Sequence, residues 1–133
     1  MNKVYVQLLN DRGEHHQMQV LYSERPPWTL CIDSAVTGKH NFEDSDLFEC
    51  LVSARKLIEP SGWRLLCNGS RVDAFASNMS RESGGTLLTL LSINGRPQTK
   101  DDLVFIFDEA PLDLVGTIEK QGDYVNRFFR GGR

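Results

Sequence analysis

Two alternating segments flank a turn near the start of the chain, and they constrain the fold more than any other feature. Residues 3–9, KVYVQLL, and 16–22, HQMQVLY, place apolar side chains at every second position, with Met18, Val20 and Tyr22 on one face. NDRG at 10–13 is a turn signal between them. Period-two alternation on either side of a short turn specifies a β-hairpin with one buried face. Something must cover that face, so the hairpin calls for a sheet with a second layer against it.

That second layer is supplied by a helix over 45–59. Leu47, Leu51, Ala54 and Ile58 form one stripe at helical spacing, widened by Phe48 and Leu57. Asp44 or Ser45 can cap its start, Asp46 and Glu49 suit the positive end of its dipole, and Arg55 and Lys56 suit the other. Pro60 ends it and Gly62 turns the chain.

WTLCIDSAV at 28–36 reads as a third strand closed by TGKHN, after the break at Pro26 and Pro27. WRLLC at 63–67 and TLLTLLSI at 86–93 read as strands, and NGRP at 94–97 as a turn. LVFIF at 103–107 reads as a central strand, with a short buried helix capped by Thr99 as the alternative. Residues 115–129 read as a helix with Ile118, Gly122, Val125 and Phe129 on one stripe. The order is ββ(β)αβββα. It predicts one α+β domain over residues 1–133, a largely antiparallel sheet with two helices packed on one face.

A net charge of −3 and a pI near 5.6 give no basic face for nucleic acid and suit a basic protein partner. Cys31, Cys50 and Cys67 are odd in number and form no CxxC pair, so no disulfide framework or zinc knuckle is expected. They read as buried thiols in a reducing compartment. The first residues do not pattern as a signal peptide, and no apolar run reaches membrane-spanning length. The expectation is a cytoplasmic protein with no membrane partner.

No nucleophile motif, metalloprotease motif or phosphate-binding glycine pattern is present, so no catalytic residue, metal or cofactor is assigned. His15, His16 and His40 read as exposed or half-exposed. The acids are unevenly spread. Glu43, Asp44, Asp46 and Glu49 surround the first helix start, and Asp101, Asp102, Asp108, Glu109 and Asp113 gather late. The first four, with Asp101, Asp102, Asp108 and Glu109, are candidates for a partner-binding acidic surface.

The connection CNGSRVDAFASNMSRESGG at 67–85 is long for a structureless loop. Asn68, Arg71, Asp73, Met79 and Arg81 stand out in it. Part of it can continue as a strand through Val72–Ser77, and Asn78–Glu82 can make one helical turn. Arg71, Asp73 and Arg81 can form an internal ion-pair network, or present a polar recognition surface with Phe75 and Met79 among them.

This stretch resembles the signature of a group of small bacterial proteins, in which GWRLLCNGAR and an acid precede PSGM, an arginine and MGGG. GWRLLCNGSR matches at 62–71, with Asp73, Met79 and Arg81 in place. GRPQTKDDLVFIF at 95–107 resembles a second element, GRP followed by DLVDIF, and TIEKQGDYVNRFF at 117–129 a closing helix. The likeness covers about half the chain, from residue 45 onward. ASNM replaces PSGM, ESGG replaces MGGG, and Leu87 or Leu88 replaces an aromatic. Such proteins look like immunity proteins of polymorphic or contact-dependent toxin systems. The resemblance implies a non-catalytic partner for the C-terminal domain of a cognate toxin. Two other readings stand beside it: a small enzyme or anion-binding protein with a site at Asn68, Arg71, Asp73 and Arg81, and a regulatory subunit with an apolar interface at Phe128 and Phe129.

Overall fold

The computed structural model describes residues 1–92 and 99–131. The fold is α+β, and the described residues form two antiparallel sheets and three α-helices. The expected hairpin is β1 (Asn2–Asn10) with β2 (His15–Tyr22), in register from Leu9↔His15 to Asn2↔Tyr22. The Asn10 side chain accepts from the backbone of Arg12 at 3.0 Å and of Glu14 at 2.9 Å, which closes the turn.

The chain then meanders through β3 (Trp28–Ser34) and β4 (Gly38–Asp44), and β5 (Trp63–Leu65) returns to the far side of β1. The order is β4-β3-β2-β1-β5. β4 begins within the residues expected to close the third strand. Its sequence, GKHNFED, has Phe42 as its one large apolar side chain, so it shows no alternation. It is an edge strand, held by its ladder to β3 and rich in polar and charged groups, as edge strands are.

Helix α1 (Leu47–Ile58) packs on one face of this sheet and buries Leu47, Leu51, Ala54 and Ile58 against it. Its cap is Asp46, one or two residues beyond the two candidates; the carboxylate accepts the Glu49 N–H at 2.8 Å. Beyond α1 the chain builds a second sheet in the order β6-β7-β8: β6 (Ala74–Phe75), β7 (Leu87–Leu90) and β8 (Leu103–Phe105). Two sheets thus stand where one was expected. LVFIF forms an edge strand over its first three residues rather than a central one, and Ile106 and Phe107 turn into the core. Apolar runs mark burial, and here burial comes from a turn that enters the core, with Phe107 against the Tyr22 ring.

A short helix, α2 (Asn78–Glu82), sits between β6 and β7, as the 67–85 segment allowed, and α3 (Ile118–Gly131) closes the described chain. The described residues thus hold three α-helices where two were expected. One cluster of buried residues joins both sheets and α1, running from Val6, Met18 and Ile32 to Leu88 and Ile106. The turn expected at 94–97, with Ile93 of the preceding strand, lies outside the described residues. Among the described residues no helix is long and apolar enough to cross a membrane.

Candidate functional site

Segment 67–85 is ordered along its length and held to three other parts of the chain. A 3₁₀ turn at Asn68–Ser70 begins it. The Asn68 and Gly69 backbone amides donate to the Asp108 and Ile106 carbonyls at 2.9 and 2.8 Å, and the Asn68 side chain donates to the Phe105 carbonyl at 3.0 Å. Asn68 is buried and its side chain is spent in joining this turn to β8.

Arg71 and Asp73 form a two-pronged pair, with Nε and Nη2 each 2.8 Å from a carboxylate oxygen. Those hydrogen bonds, the largest influence on it, raise the Arg71 guanidinium above its usual range. Arg81 does not join them. Its Nη1 lies 3.1 Å from Asp46 and 3.3 Å from Glu49, its Nε donates to the Ala76 carbonyl at 3.2 Å, and its guanidinium carbon stands 5.2 Å from the centroid of the Phe48 ring. In place of a network of Arg71, Asp73 and Arg81 there are two separate groups, Arg71 with Asp73 and Arg81 with Asp46 and Glu49. The chain places Arg81 on α2, and α2 docks on the start of α1. Gly84 and Gly85, at φ +100° and +71°, make the docking possible. The Leu47 N–H donates to the Gly84 carbonyl at 2.7 Å, and a Cβ on Gly84 would come within 2.5 Å of the Trp28 ring.

Two of the eight candidate partner-binding acids are corrected by their burial. Asp46, 2% exposed, caps α1 and pairs with Arg81. Asp102, 3% exposed, accepts the Thr99 N–H at 2.8 Å in a capping box. A cap residue flanked by acids reads the same as a surface acid in a sequence. Glu43, Asp44, Asp101, Asp108 and Glu109 are exposed, and Glu49 is partly so. Met79 is 79% exposed and meets solvent rather than core.

Arg55, expected as a cation suited to the C-terminal end of the helix dipole, is fully buried there. It donates to Glu59 at 2.7 Å, Gln121 Oε1 at 2.8 Å, the Gly116 carbonyl at 3.0 Å and the Gly69 carbonyl at 3.3 Å. Gln121 Nε2 in turn donates to the Gly69 and Arg71 carbonyls at 3.0 and 2.8 Å. Arg55 falls four residues after Leu51, on the apolar side of α1, and that spacing is the signal for its burial.

The three cysteines are buried and unbridged. Burial, with Asp44 next, pushes the Cys50 thiol up to about 11, and burial raises that of Cys67. His40 is hydrogen-bonded to the Thr37 carbonyl at 2.9 Å, and His16 stands edge-on to Trp63. Phe129 is half-exposed and packs edge-on to Phe75 and Phe128.

Between α1, β6 and α3 the segment borders a cleft of about 270 Å³. Phe48 and Val52 form one wall, Ala74 and Ala76 the floor, and Gly122 and Val125 the other wall. Arg81 and Asn126 supply polar groups to it. The segment thus holds one ion pair within itself and two to the start of α1, and it borders this largely apolar recess. No protein-family model matches the chain, and no curated protein matches it.

Proposed function

We propose that this chain is a cytoplasmic, non-catalytic binding protein of the immunity class, which occupies a cognate bacterial toxin domain and neutralises it. The observation that carries this reading is where the charge lies. The arginines of the signature segment are turned inward onto carboxylates, Arg71 onto Asp73 and Arg81 onto Asp46 and Glu49. Glu43, Asp44, Asp101, Asp108 and Glu109 remain exposed. These exposed carboxylates, on a chain with a net charge of −3, suit a basic partner, and such fields raise association rates.

The alternative, an anion-binding or enzymatic site at Asn68, Arg71, Asp73 and Arg81, draws less from this geometry. A phosphate or carboxylate ligand would have to displace Asp73 from a bidentate contact, or compete with two carboxylates for Arg81.

The test is co-expression with the C-terminal domain of the protein encoded immediately upstream. The reading expects a complex that survives purification and abolishes that domain's toxicity. Independent elution of the two proteins, with toxicity unchanged, overturns it.

A further inference from the structure

Gly122 stands inside helix α3, where glycine costs about 1 kcal/mol relative to alanine. Its surroundings do not require it. A Cβ there would meet nothing within 4 Å, and its φ is not positive. Gly116 differs, since a Cβ there would come within 2.5 Å of Val72. What the missing side chain at 122 does is keep open the cleft between α1, β6 and α3.

The chemistry of the cleft limits what enters it. Its lining is mostly apolar, with Arg81, Gln121 and Asn126 as the polar residues, and its volume of about 270 Å³ lies below the roughly 300–1,000 Å³ of small-molecule sites. It accommodates one large side chain rather than a free metabolite. Arg81 lines the recess and is held from behind by two carboxylates, Asp46 and Glu49, so the three groups together sum to one negative charge. Arg81 Nη2 and the Asn126 side chain make no hydrogen bond among the described residues, so both can meet the main chain of an occupant. Apolar anchors seated in recesses are what dominate protein interfaces.

We infer that this cleft is an anchor pocket for an apolar side chain, flanked by a basic residue, on the protein partner. The inference rests on the binding-protein reading and names the part of the surface that does the gripping. The surface acids then steer the encounter, and the cleft holds the complex.

The test uses the full chain labelled with ¹⁵N and two probes, N-acetyl-Lys-Phe-amide and N-acetyl-Gln-Phe-amide. The lysine probe is expected to give saturable shifts at the Gly122, Val125 and Ala76 amides. The glutamine probe should bind several-fold more weakly, and added salt should narrow the difference. Gly122→Leu fills the recess while improving helix propensity, so it should keep the melting temperature at or above wild type and lose the shifts. Gly122→Gln, whose polar head can reach solvent, is the second variant. Absence of saturable shifts at those amides, or equal shifts in a folded Gly122 variant, overturns the inference. Toxin-domain binding that survives Gly122→Leu undiminished overturns it too, and leaves the proposed function standing. If wild type does not bind the toxin domain, the proposed function fails, and the dipeptide titration decides the cleft independently.

Discussion

Glu59 accepts the backbone N–H of Ile118 at 3.1 Å, so the end of α1 caps the start of α3 across a sequence separation of 59. The same carboxylate takes Arg55 Nε through its other oxygen at 2.7 Å. One ion pair therefore fixes how the last helix meets the first, and with it the width of the cleft between them.

Replacing Arg55 should be among the most damaging single changes available. Arg55→Met leaves Glu59, Gln121 and two backbone carbonyls without their buried donor, and losing one partner of such a pair costs about 3–5 kcal/mol. Urea unfolding measures it. Arg55→Lys should also destabilise, because one ammonium lacks the planar fork that reaches four acceptors. A loss below about 1 kcal/mol for Arg55→Met would show that the network contributes little.

At Asp46 the cap and the charge can be separated. Asp46→Asn keeps an acceptor for the Glu49 N–H and removes the charge facing Arg81; Asp46→Ala removes both. Alanine should therefore cost about 0.5–2 kcal/mol more than asparagine in thermal or urea unfolding. Equal losses would mean that the cap adds nothing at this helix.

The general plan was legible from local pattern, and what escaped was set by distant partners. The β1–β2 hairpin and α1 each carry their own periodicity, so both were readable. β4 offers one apolar side chain in seven residues, and only its pairing with β3 makes it a strand. Arg81 and Arg71 look equivalent in the sequence, yet one pairs two residues away and the other 35 residues away. Asp44, Ser45 and Asp46 are all competent caps, and the choice among them is made where α2 docks. The cleft was not readable at all, since its walls come from three separated segments.

Exposed acids should behave in the opposite way to Asp46. Glu43→Gln with Asp44→Asn should leave unfolding within about 0.5 kcal/mol of wild type. With the toxin domain in hand, association should slow, and its salt dependence should flatten, when measured by stopped flow. An unchanged rate at low salt would remove these two residues from the encounter surface.

The thiols supply a test against pH. Cys50 has its pKa raised from 9.0 in the unfolded chain to about 11 in the fold, so its protonated form is the one the fold favours. Its contribution is present below pH 9 and is lost as pH climbs toward 11. The urea midpoint should fall over that window, and less so in Cys50→Ala. At pH 8 a thiol-specific disulfide reagent should leave Cys50 and Cys67 unmodified until the protein unfolds. Rapid native-state labelling of either would contradict their burial.

The buried guanidinium also sets an order of events during synthesis. β1 to β4 each pair with the strand next to them in sequence, and β5 joins β1 later, so this meander can assemble as soon as it leaves the ribosome. Arg55 emerges next, but Gly116 and Gln121, two of the four residues that receive its hydrogen bonds, follow more than 60 residues later. A nascent chain halted before residue 116 therefore holds a finished sheet and a helix that cannot yet bury its cation, and such half-built intermediates are the ones chaperones meet.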